Sequence, residues 1–116
     1  MAEKIRALSK RPGCPPRLVW VSNSLENLQN HVGGYIETVT LATDCCVICN
    51  EEGRLMGLPY NCTIAGVSFV GDILIVGMDG EAFTDLPISF YDAKRVFKEL
   101  WEGTDPEEKG GKKNER

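Results

Sequence analysis

The sequence predicts an α+β fold: a single domain with a mainly antiparallel sheet of about five or six strands, covered by two helices. Three features carry this reading. Apolar and β-branched runs recur at short intervals, most clearly YIETVTL (35–41), CCVICN (45–50) and FVGDILIVGM (69–78). Two other stretches, near Leu25–Val32 and from Ile88 to Trp101, have the apolar spacing of helices. The links between them hold Gly, Pro, Asn and Asp, residues that turn a chain back on itself.

Taken in order, Ile5–Ser9 and Arg17–Val21 read as an antiparallel pair, joined by the proline-rich RPGCPP connection. In the first helix, Leu25, Leu28 and Val32 lie at i, i+3 and i+7 and share one side. Asn23 or Ser24 can cap its first turn, and Gly33 suits the left-handed position that ends it. Tyr35–Leu41 and Cys45–Asn50 follow as strands around a Thr43-Asp44 turn. Asn50-Glu51-Glu52-Gly53 reads as a turn with Gly53 at positive φ, and Arg54-Leu55-Met56 as the returning strand. Gly57–Phe69, with Pro59 and two-sided polarity, reads as a long irregular connection or lid. Phe69–Met78 is the most apolar segment; it predicts a central strand bent at Gly71-Asp72. The second helix carries its stripe on Phe90, Ala93, Phe97, Leu100 and Trp101. Residues 1–102 thus form the compact domain, and 103–116 read as a charged, disordered tail.

Composition excludes several functions. A net charge of −4 argues against nonspecific nucleic-acid binding, which depends on basic groups, although Lys4, Arg6, Lys10, Arg11 and Arg17 are close in sequence. No apolar run reaches the ~20 residues needed to span a bilayer, and the N-terminus lacks the apolar centre of a secretory signal. The expected location is cytoplasmic, with no membrane partner.

Five cysteines, Cys14, Cys45, Cys46, Cys49 and Cys62, are an odd set for a disulfide framework. Cys46 and Cys49 have zinc-knuckle spacing, but an extended backbone puts them on opposite faces, with Cys45, Val47 and Cys49 on one side and Cys46 and Ile48 on the other. Packing as small apolar side chains is the expectation, with no metal and no cofactor. His31, the only histidine, is near a helix end. No phosphate-binding glycine pattern, opposed carboxylate pair or serine with a base beside it is legible, so no catalytic residue is assigned.

The candidate contact surface combines the Asn50–Arg54 turn with the Leu58–Asn61 loop: Asn50, Glu51, Glu52, Arg54, Tyr60 and Asn61 present amides, charges and an aromatic ring from a rigid sheet. The alternative is a small enzyme or ligand-binding domain whose pocket is assembled from distant residues. A homo-oligomer is also open.

The order SLENLQNHVGGYIETVTL, NEEGRLMGLPYN and FVGDILIVG resembles the family of small bacterial and phage domains of unknown function numbered 3846. The resemblance spans about residues 4–100, and its most specific pieces are Gly33-Gly34-Tyr35-Ile36-Glu37, Asn50-Glu51-Glu52-Gly53, Leu58-Pro59-Tyr60-Asn61 and Gly71-Asp72. Tyr60 stands where a second proline is common in the family. The resemblance implies an accessory role in a phage or mobile element, with a host protein as partner, and carries over no catalytic residue.

Overall fold

The computed structural model describes residues 3–102. The expected tail, 103–116, lies outside them. The protein is an α+β domain in three layers, with a six-stranded antiparallel sheet in the middle. Strands β1 (Lys4–Lys10), β2 (Arg17–Ser22), β3 (Ile36–Ala42), β4 (Cys45–Asn50) and β7 (Ile73–Asp79) run in the order β2-β1-β7-β4-β3, and β8 (Ala82–Thr84) pairs with the far end of β7. Strands β5 (Tyr60–Ile64) and β6 (Val67–Val70) form a separate hairpin.

β7 is central because both its faces are apolar and covered: Ile73, Leu74, Ile75 and Val76 have no solvent exposure. Strand alternation divides them. Ile73 and Ile75 join Leu8, Cys45, Val47 and Cys49 in one core, while Leu74 and Val76 join Ile5, Ala7, Cys46 and Ile48 in the other. The expected division of the cysteine-rich strand is the observed one. The first core is closed by the β5–β6 hairpin through Cys62, Ile64 and Phe69, and by α2 (Phe90–Val96) and the turn after it through Ala93, Phe97 and Leu100. The second is closed by α1 (Leu25–Val32) through Leu28 and Val32. Leu25, expected on the same apolar side, is exposed.

Local chemistry sets the ends of α1. The Ser24 hydroxyl accepts from the Asn27 N–H, and Gly33 ends the helix at φ 84° with its N–H on the Gln29 carbonyl. Arg6 in β1 ties down the chain before α2: its guanidinium donates to the Leu86 and Ile88 carbonyls at 2.7 and 3.1 Å.

Four expectations are corrected. Residues 51–57 are successive turns, so Arg54-Leu55-Met56 is not a returning strand. Gly53 does not take a positive φ; it is glycine because a Cβ there would lie 2.8 Å from Val70 Cγ2. The segment read as a lid is the β5–β6 hairpin, turned at Ala65 (φ 51°) and Gly66 (φ 81°), and Gly71 (φ 73°) separates Phe69-Val70 from β7. The second helix is shorter than its apolar stripe: Ser89 caps it, and it gives way after Val96 to a 3₁₀ turn, Lys98–Leu100.

Candidate functional site

The predicted surface centres on Asn50, whose side chain is buried where β4 ends. Its Oδ1 accepts from the Glu52 N–H at 2.8 Å, a local bond that starts the turn. Its Nδ2 donates to the Val32 carbonyl at 3.1 Å, fastening the end of α1 to the end of β4, and lies 3.5 Å from the Met56 sulfur. Gly34 leaves room for this amide: a Cβ there would stand 2.9 Å from Asn50 Nδ2. Asn50 is therefore an internal anchor and not the contact residue expected of it.

The turn built on that anchor is internally bonded. The Glu51 N–H donates to the Tyr35 carbonyl, Met56 to Glu52, Gly57 to Arg54 and Leu58 to Gly53, all at 2.8–3.1 Å. The Arg54 guanidinium reaches the Ser68 carbonyl of β6 at 2.7 Å. Held this way, the turn exposes Glu51, Glu52 and Arg54, and it turns Leu55 (89% exposed) and Met56 (52%) outward. A cleft of about 460 Å³ lies between Leu55, Arg54, Glu37 and Val67. A second, of about 490 Å³, lies between Met56, Glu52, Tyr35 and Gln29. Leu55, Met56 and Tyr35 were missed by sequence reasoning, which assigned the first two to a strand; apolar residues at the centre of a glycine-bounded turn were the available signal.

Tyr60 and Asn61 separate from each other. Tyr60 is exposed, and its hydroxyl pairs with Thr63 Oγ1 at 2.7 Å, which meets Ser68 Oγ at 3.0 Å, so a chain of polar contacts links it towards Arg54. Asn61 points inward: its Nδ2 donates to the Lys10 and Gly71 carbonyls at 2.8 and 2.6 Å, joining the hairpin to the start of β7. It is structural, contrary to its expected place on the surface. Its buried Oδ1 has no hydrogen-bond partner among the described residues. Lys10 beside it is also buried, with Nζ donating to the Arg11 carbonyl, and desolvation pushes its ammonium below the ordinary lysine range. Both line a cleft of about 490 Å³ with Tyr60, Cys62 and Glu99.

A cleft of about 640 Å³, also missed by sequence reasoning, brings together His31, Arg11, Asp72 and the exposed Cys14. His31 Nε2 is 3.4 Å from Ser9 Oγ, and Arg11 lies 3.7 Å from the Asp72 carboxylate. Burial lowers the His31 pKa from its ordinary value; Asp72 raises it and Arg11 lowers it. Ser9 is buried with its hydroxyl against the ring's Nε2, so the hydroxyl is not open to solvent. Among the described residues no three His, Cys, Asp or Glu side chains converge as a metal site. No helix there is long and apolar enough to cross a membrane.

No curated protein and no solved structure matches the chain. The profile of the domain of unknown function DUF3846 matches residues 5–100, which include both cores and the anchored turn. The chain belongs to the DUF3846 family.

Proposed function

We propose that the protein is a noncatalytic interaction module of a phage or mobile element, acting in the cytoplasm on a host protein through the 51–57 turn. The observation that carries this reading is the contrast within that turn: a backbone tied by its own hydrogen bonds and by Asn50, with Leu55 and Met56 presented to solvent. A preorganised loop loses little conformational entropy on binding, and exposed apolar side chains supply the area that drives association. Glu37, Glu51 and Glu52 flank the apolar pair, while Arg54 is engaged with Ser68. The fitting partner is a protein with an apolar socket rimmed by Lys or Arg.

The test is affinity capture from the host with the wild-type chain, followed by Kd measurement on the purified partner with Leu55→Ser/Met56→Ser. Asn50 is left in place so that the turn keeps its anchor. The double variant is expected to weaken binding at least ~30-fold, about 2 kcal/mol. An unchanged Kd, or turnover of a small molecule by the wild-type chain, overturns the assignment.

Ligand binding is the second reading, favoured by the unpartnered Asn61 Oδ1 beside buried Lys10. A metabolite that raises the melting temperature of the wild type but not of Asn61→Leu supports it; a panel without effect removes it.

A further inference from the structure

The central sheet has two open edges, β2 and β3, and they are built differently. β3 carries the features that keep an edge from pairing: a register shift between Thr40 and Ala42, the exposed carboxylate of Glu37, and exposed Thr38 and Thr40. β2 lacks them. Its register against β1 is unbroken from Arg17 to Ser22, it contains no proline, and its one charge, Arg17, is at its first position. Leu18 (37% exposed) and Trp20 (63%) stand on the same face, opposite Leu8 and Arg6 of β1. Among the described residues no strand pairs with the outer side of β2.

We propose that this edge pairs with β2 of a second copy of the chain, antiparallel about a two-fold axis, making one continuous sheet across a symmetric dimer. Self-pairing suits this strand in particular. A two-fold axis perpendicular to the sheet keeps each face on its own side, so residues of equal parity meet. With Val19 opposite Val19 of the other copy, Leu18 faces Trp20 twice on one side of the sheet, forming two aromatic–aliphatic cross-strand pairs. Arg17 then faces Val21, and the two Arg17 side chains are about 13 Å apart along the strands, so no like charges are opposed. The outward amides and carbonyls of Leu18 and Trp20 on both edges are satisfied in the same step, while the Ser22 carbonyl already accepts from Asn27 Nδ2.

The area sets the strength. Each copy contributes part of one tryptophan, a side chain of about 150–250 Å² when fully buried, part of one leucine and a short run of backbone. The sum is well below the ~1,200 Å² of a stable interface, so the dimer is weak and concentration-dependent.

Sedimentation equilibrium of the full chain tests it from about 10 μM to about 1 mM, the range in which a weak dimer dissociates. The average mass is expected to rise from one chain towards two. Trp20→Lys, at a side chain that is mostly exposed and whose folding is checked by circular dichroism, is expected to move the midpoint at least ~10-fold higher. Tyr91→Lys, at an exposed ring on α2, is the control and leaves the midpoint in place. Amide exchange of β2, but not of β3, is expected to slow as concentration rises. A monomer throughout the range, equal association of Trp20→Lys, or protection on β3 in place of β2 overturns the proposal. So does a foreign strand that binds β2 of a chain that stays monomeric.

Discussion

Raising the pH above 9 in reducing buffer should destabilise this protein steeply, through its buried thiols. Burial pushes Cys45, Cys46, Cys49 and Cys62 from the ordinary 9.0 up to about 11. For Cys45 the adjacent Cys46 and Asp44 add to this effect, and for Cys49 the carboxylate of Glu37 does. A group whose pKa is higher in the folded chain contributes stability below its unfolded pKa and loses it as pH rises through the folded one. The window is therefore pH 9 to 11. At pH 10 the unfolded chain has released most of these protons and the folded chain has kept them, a loss of about 1.4 kcal/mol per thiol. Four such groups lose on the order of 5 kcal/mol, comparable with the whole stability of many domains of this size. Lys10 works in the opposite direction, since its lowered pKa favours the folded state as pH rises, but it is one group against four. Urea unfolding at pH 8, 9 and 10 measures the slope for the wild type and for Cys46→Ala. The variant is expected to lose about a quarter less over that range, whatever its packing defect costs at pH 8. Equal slopes in the two proteins refute this account. A thiol reagent supplies a second check: Cys14 is exposed and should react at once, the other four only on unfolding.

Three further expectations concern single positions. Asn50→Ala should cost about 2–4 kcal/mol in urea unfolding, because it strips the buried Val32 carbonyl and the Glu52 N–H of their partner. Gly34→Ala should cost about 1–3 kcal/mol alone but much less in the Asn50→Ala background, where the crowded amide is gone; full additivity in that double-mutant cycle contradicts the contact. Ala65→Gly should raise stability by about 0.5–1 kcal/mol, since alanine at φ 51° takes a conformation that glycine adopts freely, and a lower melting temperature contradicts it.

Fold class was legible because the central strands are short, unbroken apolar runs. Cys45 to Ile48 and Ile73 to Val76 are apolar at every position, and runs this short, rich in β-branched residues and bounded by turn residues, fit strands covered on both sides. The β5–β6 hairpin was not legible. Its turn uses Ala65 where asparagine or glycine would signal positive φ, and a shift between Tyr60 and Cys62 breaks the alternation. At the site, the sequence located the turn at Asn50–Gly53 but not the direction of its side chains. Asn50 and Asn61 are polar residues in loop-like surroundings, and their inward orientation depends on backbone carbonyls from Val32, Lys10 and Gly71, distant in the chain. The His31 cleft likewise joins positions from the β1–β2 connection, the end of α1 and the segment just before β7, which no local pattern connects.

The place of β7 has a consequence for synthesis. β1–β2 and β3–β4 are each a hairpin of consecutive strands, and the strand that lies between them in the sheet is made later, so that Leu8 waits for Ile75 and Val47 waits for the same residue from the other side. An isolated two-stranded ribbon is marginal in water. During translation at about 5–20 residues per second, the nascent chain spends several seconds as two unjoined ribbons with apolar faces open. β7 then stitches them together, so the chain must be made through Asp79 before the two ribbons share one sheet. A ribosome stalled before Ile73 holds a chain that chaperones and proteases can still engage.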